Sequence, residues 1–335
     1  MIKKNSKGAT FHEQNQVFPL KAFSLVVAVL AVLVFGKAGG EAFDVRDSEN
    51  CKLKFTIISD VHVETNNWKR YPAFTQGLRN VPKNKSGNDA IILLGDSVMN
   101  GQYLENVIFH GLAEMFLRNE TVLPVLGNHD AGNGSGDPAK ILKRWYRFTD
   151  AFFDIQLEHP YYYKVINGYY FIILCMETDQ TQECVYTDAQ FDWLEDTLAL
   201  AAESGKPAFV IAHFPLHWSK DQNYQTTWRP LQILQNYYRE HDLFFLCGHH
   251  HTPLQRDQSF RFQNGIPQIY APSLSQLMNE EPHDMDEKTG EGIVVELYAD
   301  NIVFRGRNFV RSEWVFDDTE TPCERTYPLN HPIVD

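Results

Sequence analysis

Basic residues are in short supply: 30 Lys and Arg stand against 43 Asp and Glu, a formal net charge of −13. Nonspecific nucleic-acid binding depends on Lys and Arg to neutralise phosphates, so this balance argues against a nucleic acid as partner. It leaves a small anionic ligand open, because bound cations can reverse the sign locally. Cysteine is scarce, with five in all (51, 175, 184, 247 and 323), and none sits at metal-finger spacing. In an oxidising compartment Cys175 with Cys184 and Cys51 with Cys323 are candidate bridges, and an odd count leaves at least one thiol over. Cys247, at the end of an apolar strand, reads as a core thiol. The glycine-rich Gly132-Asn133-Gly134-Ser135-Gly136 lacks the Lys-Ser/Thr of a nucleotide-binding loop. No repeat or composition break marks a second domain.

An apolar run long enough to span a bilayer, roughly 20 residues, is also missing. The longest, Ala22 to Phe35, has fourteen residues and follows Lys3, Lys4, Lys7 and Lys21. That pattern suits a secretory signal, with Gly36-Lys37-Ala38 and Gly40-Glu41-Ala42 both acceptable cleavage sites. An uncleaved signal anchor is the alternative. Either way residues 1–38 are expected to lie outside the fold and to act in export, so a membrane enters only through this segment. Cleavage after Ala38 would remove five Lys and one Glu and take the net charge from −13 to −17. Three Asn-x-Ser/Thr sites, at Asn84, Asn119 and Asn133, would accept glycans only in a eukaryotic secretory pathway.

What remains, 335 residues less this segment, is ample for one α/β domain with a buried core. Short apolar runs at 53–59, 90–94, 121–126, 208–212 and 243–247 read as strands, and the continuous apolarity of several fits burial on both faces. Between them the spacing of apolar residues predicts helices over 69–80, 105–118, 138–153, 189–203 and 228–240, the fourth capped by Asp188. Asn167-Gly168 between two apolar runs predicts a hairpin, as does Ala299-Asp300-Asn301. The stretch 280–291 reads as a charged loop. The domain is expected over 53–310, after a linker at 39–52 and before a tail at 311–335.

Each of those five strands ends in a polar cluster. They are Asp60-Val61-His62, Gly95-Asp96, Gly127-Asn128-His129-Asp130, a lone His213, and Gly248-His249-His250-His251. Loops at strand ends converge in α/β sheets, so these side chains can meet at one point. Asp60, His62, Asp96, Asn128, His213, His249 and His251 together offer two carboxylates, four imidazoles and an amide oxygen. That is enough for two divalent ions sharing a carboxylate. Taken alone, His213 is more often a structural residue than a ligand, and Asn128 beside a glycine is usually a turn residue. Five ordered blocks arising for unrelated reasons is a poorer explanation. His250 is left structural, since alternation points it away from its neighbours. His217, Trp145, Tyr146, Trp218 and Tyr224 are candidates for the pocket rim or for core packing.

In these blocks and their order the chain resembles the calcineurin-like metallophosphoesterases, over essentially 53–310. The resemblance implies a four-layer α-β-β-α sandwich of two mixed sheets flanked by helices, with the metal site at strand-end loops. It implies that Asp60, His62 and His251 hold one metal, that Asn128, His213 and His249 hold a second, and that Asp96 bridges them. It further implies that His129 is no ligand but assists the leaving oxygen, with Asp130 orienting it. Two divalent ions (zinc, manganese or iron) would be the cofactors and a small phosphate ester the substrate, cut by a hydroxide generated between the metals. The resemblance does not extend to the iron-tyrosinate variant of the family, because Met99 stands where that variant has tyrosine.

Overall fold

The computed structural model describes residues 11–35, 39–176, 186–216, 228–256, 259–275, 277 and 290–333. Cys184, His217, Trp218, Tyr224 and nearly all of the charged 280–291 stretch lie outside them. Two mixed sheets pack face to face. The first has seven strands and the order β12-β11-β10-β1-β2-β3, with β13 also pairing β11. Its members are β1 (Leu53–Ile58), β2 (Ala90–Leu93), β3 (Val122–Pro124), β10 (Glu291–Leu297), β11 (Asn301–Asn308), β12 (Glu313–Trp314) and β13 (Glu324–Pro328). The second has the order β4-β5-β6-β7-β9-β8. It is built from β4 (Tyr162–Ile166), β5 (Tyr169–Ile173), β6 (Ala208–Ile211), β7 (Leu243–Cys247), β8 (Phe260–Gln263) and β9 (Ile266–Tyr270). Within each sheet the site-bearing strands run parallel: β1 with β2 and β3, and β5 with β6, β7 and β9. Their C-terminal ends therefore share an edge.

The period-2 rule explains the layering. In β1 and β2, Phe55, Ile57, Ala90 and Ile92 face the other sheet. There they meet Phe171, Ile173, Phe209, Ile211, Phe244 and Leu246 in one buried cluster. Phe209 stacks on Phe171 at 5.0 Å and meets Phe55 edge-on at 5.0 Å. The alternate residues Ile58, Ile91 and Leu93 face outward, under α2 (Tyr71–Asn80) and α3 (Tyr103–Leu117). On the other outside, Ile172, Val210 and Phe245 lie under α5 (Asp188–Glu203) and α6 (Arg229–Tyr238). The four layers expected from the resemblance are the ones observed. α4 (Pro138–Phe153) starts at Asp137, whose carboxylate accepts the Lys140 N–H, and Pro138 fits its first turn.

Four features differ from the sequence reading. The N-terminal segment forms α1 (Phe11–Phe35), which lies along α3, because a helix this apolar can bury one side on the domain. The expected tail supplies β12 and β13, whose mixed polarity hides an edge strand. Phe260–Gln263 and Ile266–Tyr270 form a hairpin about Asn264-Gly265. Helix α5 is capped by the Thr187 hydroxyl, which accepts the Gln190 N–H, with Asp188 inside the first turn. Cys51 and Cys323 are both free thiols, and Cys247 is buried in the core as expected.

Candidate metal centre

The ligands arrive on turns that L-residues rarely make. Asp60 (φ 53°), His62 (φ 49°), Asp96 (φ 52°), His249 (φ 69°) and His251 (φ 51°) all occupy the left-handed region. Such a conformation costs about 1–3 kcal/mol per residue and survives only where its surroundings enforce it. The enforcement is visible around Asp60. Ser273 Oγ donates to the Asp60 carbonyl at 2.6 Å, Ser275 Oγ to the Val61 carbonyl at 2.5 Å, and Leu274 N to the Ser59 carbonyl at 2.9 Å. The 271–275 segment, leaving β9, thereby clamps the turn that follows β1.

Close approach then brings the turns together, and it explains the glycines. A Cβ on Gly127 would lie 2.1 Å from Asp96 Oδ1, and one on Gly248 would lie 2.1 Å from Ser59 Oγ. No side chain fits at either place.

Two groups of donors result. Asp60, His62, Asp96 and His251 form one, Asp96, His213 and His249 the other, with ligand atoms within 4.8 Å of one another. Asp96 belongs to both. Asn128 Oδ1 lies 3.2 Å from His213 Nε2 and so joins the second group. Within the first, His251 Nε2 is 2.9 Å from Asp60 Oδ1 and 3.0 Å from His62 Nε2. In the second, His213 Nε2 is 3.1 Å from Asp96 Oδ2. All seven residues expected as ligands are thus assembled. His250 is in neither group; its ring faces Tyr270 at 5.6 Å.

The unused lone pairs point inward. Asp60 Oδ2 accepts from Ser59 Oγ and the His249 N–H, and Asp96 Oδ1 accepts from the His129 N–H. Asp60 Oδ1 and Asp96 Oδ2 are buried and, among the described residues, meet only imidazole nitrogens: His251 Nε2 at 2.9 Å and His213 Nε2 at 3.1 Å. Buried acceptors left so are costly, and a cation between them removes the cost. Mixed carboxylate, imidazole and amide donors suit zinc, manganese or iron. The residues fit two divalent ions.

Electrostatics divides the four imidazoles: His62 and His249 are lowered, while His213 and His251, beside the Asp96 and Asp60 carboxylates, are raised. Burial lowers His62 to about 4 and His249 to about 3, which keeps both imidazoles neutral and able to offer a lone pair at pH 7. Burial alone would also lower His213, but the adjoining Asp96 carboxylate overrides it and raises it to about 10. Asp60 is held well below the usual carboxylate range: burial opposes ionisation, and His251 and the other imidazoles outweigh it. The His213 Nδ1–H donates to the Leu94 carbonyl at 2.8 Å, which turns Nε2 toward the site.

His129 stands beside the ligands without joining them. Its ring meets that of His62 edge-on at 4.6 Å, and its Nδ1 bonds the Met99 carbonyl at 2.7 Å. Asp130 does not orient it, contrary to the sequence expectation. The Asp130 carboxylate accepts from the Val98 N–H at 3.1 Å and the Gly127 N–H at 3.0 Å, stitching the β2 and β3 loops together. Burial and the nearby Asp96 charge raise it to about 7. The sequence also gave no hint of Asn133, which the glycine-rich loop brings to Asn128 Nδ2 at 3.1 Å. Its own φ of 47° is one that Asn tolerates.

Compared with known families, residues 53–253 match the model for calcineurin-like phosphoesterases, more than half of the chain. The chain belongs to that family. No curated protein matches the sequence. Among solved structures, a dimetal phosphatase from Danio rerio aligns at 16% identity with a TM-score of 0.53, covering 79% of this chain and 99% of that one. A conserved uncharacterized protein from Streptococcus pneumoniae, a predicted phosphoesterase, aligns at 13% identity and a TM-score of 0.39 over 82% and 97% of the two chains. The first of these likenesses supports the fold; the family match and the donor set support a dimetal hydrolase.

Proposed function

We propose that the protein hydrolyses phosphate esters, monoester or diester, with His129 assisting the departing oxygen. One observation carries this: two ligand groups share Asp96, and a histidine that belongs to neither, His129, lies against His62. Ions of zinc, manganese or iron held there would supply positive charge for phosphoryl oxygens and an activated water. The chain's own residues do the rest. The Met99 carbonyl fixes the Nδ1–H of His129 and turns Nε2 outward. In the imidazolium form, protonated on both nitrogens, the ring gives its Nε2 proton to the leaving oxygen as the P–O bond breaks and is left neutral with its Nδ1–H on Met99. The Ser59, Ser273 and Ser275 hydroxyls beside the Asp60 turn are committed elsewhere: Ser59 to Asp60, Ser273 and Ser275 to backbone carbonyls. No covalent intermediate on serine is called for, and transfer runs directly to water. The N-terminal lysines and apolar run support action outside the cytoplasm.

The test is turnover of p-nitrophenyl phosphate and its bis ester with added manganese, zinc or iron, for wild type and His129→Ala. Wild type is expected to turn over at least one ester in a metal-dependent way. The variant should lose roughly 10²–10⁴-fold in kcat while binding the same number of metal ions. Metal-loaded wild type that cleaves neither ester would overturn the proposal.

A further inference from the structure

Helix α1 is apolar on two sides, and the domain covers one of them. Leu20, Ser24, Ala28 and Ala31 are buried along its inner side. Gly111 of α3 admits this helix closely: a Cβ there would lie 2.1 Å from the Ser24 carbonyl oxygen and 3.2 Å from the Ala28 side chain. Lys21 reaches Glu114 at 3.7 Å and lies over the Phe152 ring, and Leu20 packs with Val107 and Phe148. These contacts seat α1 against α3 in a small-residue seam, so the helix is a docked part of the domain.

The opposite side is bare. Phe23, Leu25, Val26, Val29, Leu30, Leu33 and Val34 are all exposed, the last two at 75% and 70%. Seven large apolar side chains within twelve residues make a continuous outward patch of a kind that soluble surfaces rarely leave open. Charge indicates what covers it. Residues 1–38 carry five Lys and one Glu, while the rest of the chain carries the whole of its acidic excess. The helix therefore belongs to a net basic segment of an otherwise acidic chain. A second copy would bring two acidic bodies together, whereas anionic lipid attracts the lysines and repels the rest. Among the described residues no helix is long and apolar enough to cross a membrane.

We propose that α1 remains with the mature domain and docks it on an anionic lipid bilayer. The helix lies in the interface, its inner side on α3 and its outer side against acyl chains. This goes beyond the phosphoesterase reading and stands independently of it.

The full-length chain tests it by co-sedimentation with phosphatidylglycerol–phosphatidylethanolamine vesicles, compared with phosphatidylcholine vesicles. Wild type is expected to pellet with the anionic vesicles, and at least tenfold less with the neutral ones or in high salt. The double variant Val26→Asp with Leu30→Asp alters only the exposed side. It should stay in the supernatant with an unchanged melting curve and unchanged metal binding. Wild type left in the supernatant, or a variant that pellets equally, would overturn the proposal. So would a vesicle-free dimer dissolved by the same variant, which would assign the face to a second copy. A chain that resists alkaline carbonate extraction would overturn the interfacial placement in favour of a spanning helix.

Discussion

The Asn128 side-chain nitrogen donates to Asn133 Oδ1 at 3.1 Å, and the Asn133 N–H returns a bond of 2.8 Å to the Asn128 carbonyl. That reciprocal pair decides which end of the Asn128 amide faces His213. Removing it frees the amide to flip its donor toward a cation. Asn133→Gly keeps the left-handed backbone unstrained and deletes only the side chain. Metal affinity is expected to fall roughly 10–100-fold at the group containing His213 with little change in folding, as read by competitive metal titration and thermal melting.

Gly127 offers a sharper perturbation. Its Cβ position lies 2.3 Å from the Asp96 backbone nitrogen as well as against the carboxylate, so Gly127→Ala must move the shared ligand. Both metal stoichiometries should drop together while secondary structure persists. Calorimetric metal titration and circular dichroism would check it; loss at one group alone would show that Asp96 does not serve both.

A pH effect follows from His110. It sits in an aromatic cage with Phe148 at 4.8 Å and Phe152 at 5.4 Å, its Nδ1 on the Asn106 carbonyl at 2.9 Å. Burial lowers it from 6.5 to about 3. The unfolded chain therefore takes up a proton below pH 6.5 that the folded chain refuses, so acid favours unfolding. This residue should remove about 1.4 kcal/mol of stability per pH unit on descending from 6.5 toward 3. Urea melts of His110→Phe are expected to be less steep in pH than those of wild type over that window.

Between the sheets, Phe209 is fully buried and touches the rings of Phe55, Phe171 and Phe244. Phe209→Ala should cost about 3–5 kcal/mol, read as a lower urea midpoint at constant slope. A loss under 1 kcal/mol would mean that the two sheets close over the gap.

Much of the centre was legible because its ligands are side chains at strand ends, in blocks whose order the chain itself displays. Asp60, His62, Asp96, Asn128, His213, His249 and His251 needed only the rule that parallel strands share an edge. The holding groups were harder to see. Met99 acts through a carbonyl that any residue would carry, and Ser273 and Ser275 come from a crossing segment with no pattern of its own. Asp130 was misread for a related reason: a carboxylate next to a histidine in sequence points where the loop turns it, here to the N–H groups of Val98 and Gly127. In the fold, β13 stayed hidden because an edge strand exposed on most of its length shows no apolar alternation. The hairpin about Asn264-Gly265 was missed as well, although an Asn-Gly pair beside β-prone residues is a plain hairpin signal.

The two sheets contribute to the centre almost equally. Asp60, His62, Asp96 and Asn128 follow strands of the seven-stranded sheet; His213, His249 and His251 follow strands of the six-stranded one. The catalytic geometry is therefore the alignment of two separately hydrogen-bonded slabs, set by the aromatic packing between them. A slip of one slab against the other by a fraction of an ångström would leave each ladder whole and still pull Asp60 from His251. Turnover should then respond to interior repacking before any melting curve does, which makes activity the more sensitive gauge of how these two slabs are seated.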